Sequence, residues 1–417
     1  MVTLRDPRVR LATWYFLYLG AIGAVGPFLA VVLGDLGASG AATAGILALF
    51  PIGLLSTGPL GTLLADRSGR ADLVLRLSLA LAAIGAVGLV VAPSWQWMIP
   101  AAILIALCRA PSSAIVDNLS VRGLPQGMDS YGQVRLWGSV GFIAAAALAG
   151  GLYETEPRAP LALGALLLLG TLAVTWTLPT VGREANEETA GPGHGEALRT
   201  PASETESARP RGGAIRLLLG QPVLRALCII AVIHSATVSI YDHFFALHVK
   251  SLGLSPAIAG QAIALGVGVE VMVMAWGRSL LAWLGPRRLV LIAITISIPR
   301  WWLSGILTSP AALIAVQASH GLTFGAWWVG AIALVSRHAP SQLRNSAQGL
   351  FLASGHGLGS LLAMAGAAVL LDRIGTSMTF KGLAVVSLVG ALLAWQLLMR
   401  QGVSSSGNDG SSLSTSS

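Results

Sequence analysis

Long apolar stretches, separated by short polar breaks, follow one another along almost the whole chain. We predict twelve spans, near 11–33, 41–64, 73–92, 97–119, 132–152, 159–179, 222–248, 256–281, 288–307, 310–335, 345–371 and 379–400. Each reaches the ~20 residues that a helix needs to cross a bilayer. Backbone groups in hydrocarbon must pair within their own segment, which favours helices, and residues 79–92 lack the alternating polarity of a barrel strand. The pattern therefore predicts an all-α membrane protein with twelve transmembrane helices.

The spans form two sets of six, and matching residues recur 215 or 216 positions apart in the two sets. The matches pair Leu36-Gly37 with Leu252-Gly253, Gly69 with Gly285, Arg122-x-x-Pro125 with Arg337-x-x-Pro340, and Gln133 with Gln348. Two copies in the same order indicate a transporter built from parallel pseudo-repeats, with its site between them.

The polar segments divide the chain into four parts. Residues 180–215 are rich in Glu, Gly and Pro and bury too little apolar surface to fold, which predicts a disordered cytoplasmic linker. The linker separates an N-terminal bundle, 1–179, from a C-terminal bundle, 216–400. Residues 401–417 are rich in Ser and Gly and are expected to form a disordered tail.

Composition narrows the class of protein further. Charged residues make up 11% of the chain, whereas a soluble domain carries roughly 25%. The net charge of +8 does not indicate nucleic-acid binding, because the basic residues punctuate the apolar spans and form no stripe. Of the 26 Lys and Arg residues, 19 fall on the side of both termini and 4 on the other. Both termini are therefore expected in the cytoplasm, with a multi-pass chain in the bacterial inner membrane.

Several kinds of activity have no support in the sequence. Neither lysine, Lys250 or Lys381, follows the glycine of a nucleotide-binding loop, which excludes ATP-driven transport by this chain alone. No zinc-protease motif and no Cys/His cluster occurs, so we expect no metal, no cofactor and no enzyme activity. The expected partners are a small-molecule substrate, protons and the lipid bilayer, and the protein is expected to be a monomer.

Ionisable residues inside the spans are the candidates for the transport chemistry, because a charge in hydrocarbon costs roughly 2.5–3.5 kcal/mol even on a lenient scale. Three acids and three arginines form a balanced set, which indicates paired charges around a wet cavity. The candidates are Arg109, Asp117, Arg135, Asp242, Glu270, Arg300 and His320.

Glu270 has no charged neighbour along the helix within residues 265–274. Burial favours its neutral form and an approaching arginine favours the ionised form, so a carboxyl that changes partners can carry a proton. The alternative is a permanent pair with an arginine that holds two helices together. Asp117 has the same two interpretations. His320 either bonds an acid across helices or packs as a neutral ring, and we assign Glu270, Asp117 and His320 to proton coupling.

The substrate candidates combine arginines with aromatic rings. A guanidinium offers a planar fork to a carboxylate or phosphate, and tryptophan offers flat apolar area. The alternatives are a salt-bridged arginine with lipid-facing tryptophans, and an interfacial aromatic belt. We assign to substrate binding Arg300, Trp301, Trp302, Tyr241, Asp242, Arg135 and Arg109.

The loop between the second and third spans reads Asp66-Arg67-x-Gly69-Arg70. Its acid can bond a neighbouring helix end and Gly69 permits a tight turn, so we assign Asp66, Arg67, Gly69 and Arg70 to gating. The alternative is an ordinary basic cytoplasmic loop.

This loop and the two six-helix halves resemble the major facilitator superfamily. Further stretches resemble its branch of lactose permease, nucleoside–proton symporters and phenylpropionate permease. They are Tyr15-Phe16-Leu-Tyr-Leu with Pro27-Phe28-Leu29, Tyr131-Gly132-x-x-Arg135 through Phe142, and His320-Gly321-x-Thr323-Phe324-Gly325.

The resemblance implies roles for single residues. It implies sugar-type substrate binding for Asp117 and Arg135, and binding with proton coupling for Glu270, Arg300 and His320. The proton-carrying acid that lactose permease places one turn after the histidine is replaced here by Thr323, so that coupling scheme cannot hold unchanged.

The chain is thus expected to be a secondary transporter that works by alternating access, with proton symport of a small organic solute. Aromatic or other organic carboxylates suit the arginines and tryptophans best. The alternatives are a nucleoside or oligosaccharide proton symporter, a multidrug efflux antiporter and, from another class, a membrane channel.

Overall fold

The computed structural model describes residues 6–124, 128–178, 216, 220–340 and 343–399. The predicted linker 180–215 and tail 401–417 lie outside the described residues. Within the described part the chain is helical and contains no strand.

The described residues of the first half form eight α-helices and one short 3-10 turn. Two pairs of helices make up one membrane span each: α1 and α2 join into the span Pro7–Asp35, and α5 and α6 into Trp95–Val121. The helices are α1 (Pro7–Val25), α2 (Leu29–Asp35), α3 (Gly40–Ser68), α4 (Ala71–Val91), α5 (Met98–Arg109), α6 (Ser112–Gly123), α7 (Met128–Thr155) and α8 (Ala159–Thr175), with the 3-10 turn at Trp95–Trp97.

In the second half, the part of the chain that the structure describes contains seven α-helices and three π-helical segments. The π-helical segments lie at Gly321–Ala326, Ala353–Gly359 and Trp395–Met399. The α-helices are α9 (Pro222–Ser251), α10 (Pro256–Ala275), α11 (Gly277–Ile306), α12 (Pro310–Gln317), α13 (Trp327–His338), α14 (Arg344–Leu352) and α15 (Ser360–Ala394).

The helices account for the twelve predicted spans. Ten stretches of the described residues are long and apolar enough to cross a membrane, and α8 is a shorter apolar helix. One of the ten, Ser346–Leu398, is 53 residues long, and Gly375 breaks it at a positive φ of 73°. Division at Gly375 yields two spans from this stretch, so the twelve-helix fold class is confirmed.

Glycines at matching positions of the two repeats have the same unusual backbone. Gly37 and Gly253 lie two residues after the ends of α2 and α9 and have φ of 81° and 75°. Gly69 follows the last residue of α3 with a φ of 62°, and Gly285 breaks α11 with a φ of 72°. A residue with a Cβ atom strains the backbone at these positive φ values, so these turns favour glycine. The repeat seen in the sequence is therefore also a repeat of backbone conformation.

The structure divides into two compact units, which follow the two halves of the sequence except at residues 30–48. The first unit contains residues 1–29 and 49–213, and the second contains residues 30–48 and 214–417. In the first, α1 packs against α7 and α8. In the second, α15 packs against α9 and α11, around an apolar core that includes Leu227, Ile230, Val290, Ile294, Trp327 and Leu334.

Candidate functional site

Arg300 lies on α11 inside the second unit, and only 1% of the residue is exposed. Its Nε and Nη2 atoms donate to the amide oxygen of Gln317 at 3.1 and 2.9 Å, and Nη1 donates to Oγ1 of Thr323 at 2.7 Å. Gln317 in turn donates from Nε2 to Oγ of Ser304 at 3.0 Å. A guanidinium has five N–H donors in a fixed fork, and an amide oxygen with two lone pairs accepts two of them. Neutral acceptors thus hold this buried charge in place.

Two aromatic rings enclose the same guanidinium. Its Cζ atom lies 4.4 Å from the ring centroid of Tyr241 and 4.2 Å from that of Trp301. Trp301 is fully buried, whereas its neighbour Trp302 is 49% exposed, because successive helix residues point about 100° apart. Trp301 therefore belongs to the cage around Arg300, and Trp302 is the exposed member of the pair.

Glu270 and His320 meet across two helices. Nε2 of His320 lies 3.2 Å from Oε2 of Glu270, and the side chains are 7% and 15% exposed. On its other face the imidazole stacks on Phe324, with ring centroids 5.4 Å apart. Of the two alternatives for His320, the structure shows the bond across helices. Among the described residues, the ion pair of Glu270 is with this histidine.

Close contact between α10 and the segment Gly321–Ala326 makes this pair possible. A Cβ atom on Gly321 would lie 2.8 Å from the backbone nitrogen of Glu270, and one on Gly266 would lie 3.0 Å from the carbonyl oxygen of Gln317. Only glycine allows the backbones to approach so closely. The segment is π-helical, a form that occurs mostly as single turns and frequently at functional sites.

Asp242 follows Tyr241 on α9, but Asp242 is exposed whereas Tyr241 is buried. It lies within electrostatic range of Arg300 and Glu270. Except for Trp302, the second unit therefore brings together the predicted residues of α9, α10 and α11 with His320, in one group of charged and aromatic side chains.

Asp117 occupies a separate polar site in the first unit. Its Oδ1 atom accepts a hydrogen bond of 2.6 Å from the hydroxyl of Tyr15, and this hydroxyl lies 3.2 Å from Oγ of Ser120. Tyr15 is 1% exposed. The described contacts of Asp117 thus include a buried phenol on α1, which links α1 to α6.

The two predicted arginines of the first unit both lie over tyrosine rings. The Cζ atom of Arg135 lies 5.6 Å from the ring centroid of Tyr15, and that of Arg109 lies 5.8 Å from the ring centroid of Tyr18. Both arginines are partly exposed, unlike Arg300. A half-buried guanidinium on an aromatic face still has donors that an anion can reach.

The profile of the MFS_1 like family matches residues 8–382 of this helical chain. The chain belongs to the MFS_1 like family. It is therefore a secondary transporter of the major facilitator superfamily and not an enzyme, as the sequence predicted.

Two relatives of this family member align over most of its length. The maltose permease of Geobacillus stearothermophilus is 26% identical over 391 residues, which cover 93% of this chain and 94% of the relative. The probable 3-phenylpropionic acid transporter of Escherichia coli is 27% identical over 337 residues, which cover 80% and 83%.

Solved structures share the fold of this MFS_1 like protein. The nucleoside transporter NupG superposes with a TM-score of 0.77 at 17% identity, over 94% of this chain and 98% of that one. A D-xylose-proton symporter superposes with a TM-score of 0.70 at 15% identity, over 94% and 97%.

The loop that resembles the superfamily motif forms a tight turn. Helix α3 ends at Ser68, Gly69 has a φ of 62°, and Arg70 precedes the first residue of α4. Asp66, Arg67 and Arg70 are all exposed. Their assignment to gating in this MFS_1 like protein stays a prediction.

Sequence reasoning did not select Gln317 or Tyr15 as site residues, although each contacts one. Both are polar side chains within apolar spans, and an unpaired buried polar group is costly. That signal, applied to uncharged as well as charged residues, was sufficient to find them.

Proposed function

We propose that this protein is a proton-coupled symporter of a small organic solute, and that the Glu270–His320 pair carries the coupling proton. The observation that supports this most directly is their contact of 3.2 Å between two largely buried titratable groups. A protonated carboxyl donates a hydrogen bond and an ionised one only accepts, so gain of a proton forces this pair to rearrange. A rearrangement of two helices that depends on a proton is what alternating access with symport requires.

Thr323 supports the choice of Glu270 as the proton carrier. The resemblance to lactose permease places a proton-carrying acid at this position, and here the hydroxyl of Thr323 accepts from Arg300 at 2.7 Å. A hydroxyl satisfies the guanidinium but does not change charge near neutral pH. The proton must therefore use another acid, and Glu270 lies beside the same histidine.

For the substrate we propose an aromatic or other organic carboxylate. The relative at 27% identity is a probable 3-phenylpropionic acid transporter. Arg135 and Arg109 each lie over a tyrosine ring and are partly exposed, which suits an anion with a flat apolar body. Arg300 suits this role less, because three of its five N–H donors already bond Gln317 and Thr323 inside the protein.

The maltose permease relative, at 26% identity over 93% of this chain, favours a second candidate class, oligosaccharides. A thermal-shift screen of the purified transporter with phenylpropionate, nucleosides and disaccharides separates the two. We expect phenylpropionate to raise the unfolding temperature, and a shift with disaccharides alone would assign the chain to carbohydrate transport.

The coupling role is tested with Glu270→Gln in proteoliposomes. Glutamine keeps the size of the side chain and removes its titration, so we expect uphill uptake driven by a pH gradient to be lost while solute exchange persists. Glu156→Gln, at an exposed position between α7 and α8, is the matched control and should behave as the parent protein. Uphill uptake that survives in Glu270→Gln contradicts the assignment. Loss of solute binding would instead place Glu270 in the substrate site.

A further inference from the structure

Residues 30–48, here called the strap, comprise most of α2, the turn after it and the start of α3. The strap is part of the second unit, although residues 29 and 49 on either side of it belong to the first. Several of its side chains are fully buried, among them Val31, Leu33 and Thr43. The turn within it lies at the end of the first span, opposite the N-terminus, on the side that the arginine count predicts to be outside.

The first contact that holds the strap is a carboxylate at the N-terminus of α3. Oδ1 of Asp372 on α15 accepts from the backbone N–H of Gly40 at 2.7 Å, and Oδ2 accepts from that of Ala41 at 3.1 Å. The first N–H groups of a helix have no partner within it, and the helix dipole favours a negative charge there. Asp372 therefore caps a helix that is more than 300 residues away in the sequence.

The approach of α15 to this helix end is close. A Cβ atom on Gly40 would lie 2.7 Å from Oδ1 of Asp372 and 2.9 Å from Cβ of Leu371. The backbone of α3 at Gly40 thus rests directly on the side chains of Leu371 and Asp372.

The second contact is an ion pair between helix ends. Nζ of Lys250, near the end of α9, bonds Oδ1 of Asp35, at the end of α2. The two side chains are 38% and 26% exposed, so water competes with the pair and its strength is modest. A contact of this kind can form and break within a transport cycle.

The N-termini of α3 and α10, which correspond in the two repeats, both have a local serine cap. Oγ of Ser39 accepts from the N–H of Ala42 at 3.1 Å, and Oγ of Ser255 accepts from that of Ala257 at 3.0 Å. On α3 the carboxylate of Asp372 adds two hydrogen bonds to the local cap.

We propose that the Asp372 cap and the Asp35–Lys250 pair together form a latch, which holds the outer side of the transporter closed and releases the strap when that side opens. The proposal rests on alternating access in the proposed function. The chain on both sides of the strap belongs to the first unit. In the proposed outward opening the strap moves with that chain and leaves α9 and α15.

The test is the accessibility of a buried strap residue. In a protein without native cysteines (Cys108→Ser, Cys228→Ser), Thr43→Cys places a thiol at a position that is 2% exposed. The rate at which a membrane-impermeant maleimide labels this thiol in spheroplasts then increases with the fraction of molecules whose strap is released. We expect Asp372→Ala to accelerate labelling about three- to tenfold, the effect of losing one helix cap. Labelling at the parent rate would overturn the latch.

A charge swap tests the ion pair independently of Asp372. Asp35→Lys should accelerate labelling, and the double variant Asp35→Lys with Lys250→Asp should return it to the slow rate. If the double variant labels as fast as Asp35→Lys, the ion pair does not contribute to the latch. Asp72→Ala, which deletes an exposed carboxylate that pairs with Arg76 on α4, is the matched control and should leave the rate unchanged.

The labelling needs neither solute nor a proton gradient, so its outcome is separate from that of the coupling test. Glu270→Gln that retains uphill uptake, together with faster labelling of Asp372→Ala, would refute the proposed coupling and leave the latch in place. Lost coupling in Glu270→Gln with unchanged labelling of Asp372→Ala would refute the latch alone. Size-exclusion profiles like that of the parent show that each variant is folded.

Discussion

Arg300 shows how a single residue can keep its charge inside an apolar bundle. Its guanidinium donates hydrogen bonds to an amide and a hydroxyl, and it lies over the rings of Tyr241 and Trp301. A buried ion with unsatisfied donors is strongly destabilising. The amide of Gln317 is therefore as much a part of this arginine's site as the arginine itself.

Replacement of Gln317 measures this dependence. Gln317→Leu removes the acceptor of two guanidinium donors, and we expect it to lower the free energy of unfolding by about 1.5–3 kcal/mol. Gln317→Glu restores an acceptor of the same length and should unfold close to the parent temperature. Thermal unfolding of the purified variants in detergent gives the comparison. A Gln317→Leu variant as stable as the parent would show that Arg300 has found other partners.

Some single residues of the site were predictable and others were not. Glu270, Arg300 and His320 are ionisable groups within apolar spans, and that alone selects them. Their partners depend on which helix faces which, and one sequence does not contain this information. The bond from Tyr15 to Asp117 joins positions 102 residues apart, and the contact between Glu270 and His320 joins positions 50 residues apart.

At the scale of elements, the glycines of the π-helical segment Gly321–Ala326 let its backbone lie close to that of α10. Gly321→Ala should push the two backbones apart, because its Cβ atom would lie 2.8 Å from the nitrogen of Glu270. We expect destabilisation of about 1–3 kcal/mol and weaker proton coupling. Thermal unfolding and uphill uptake in proteoliposomes measure the two effects.

Gly268→Ala is the control for this change, since it replaces a glycine of α10 itself, two residues before Glu270. A Cβ atom there would meet no atom of the described structure within 4 Å. Alanine also favours a helix over glycine, so this variant should be as stable as the parent or slightly more so. Equal behaviour of Gly268→Ala and Gly321→Ala would argue against close packing as the basis of the pair.

The spans themselves could be predicted because bilayer thickness sets a minimum length, which the apolar runs meet. The π-helical segments could not, because one extra residue in a helical turn leaves hydropathy unchanged. Short breaks were also invisible, such as the division of the first span into α1 and α2. Only the turns that need a positive φ left a trace in the sequence, as the paired glycines Gly37 with Gly253 and Gly69 with Gly285.

At the scale of the whole molecule, the two repeats agree in scaffold and differ in chemistry. Matching glycines with a positive φ lie at matching turns, while the Glu270–His320 pair occurs once in the described residues. A shared scaffold lets two units move in related ways. Differences between them allow one to carry a proton site and the other a tyrosine-bound acid, Asp117.

The orientation of the molecule is the last property to test. The end of α3 and the turn after it contain Arg67 and Arg70 beside the exposed Ser68, and the positive-inside rule places them with both termini in the cytoplasm. The exposed Glu156 between α7 and α8 should then face outward. Without native cysteines, Glu156→Cys should react with an impermeant maleimide in spheroplasts, and Ser68→Cys only after permeabilisation. The reverse pattern would invert the topology and place the strap and its latch on the cytoplasmic side.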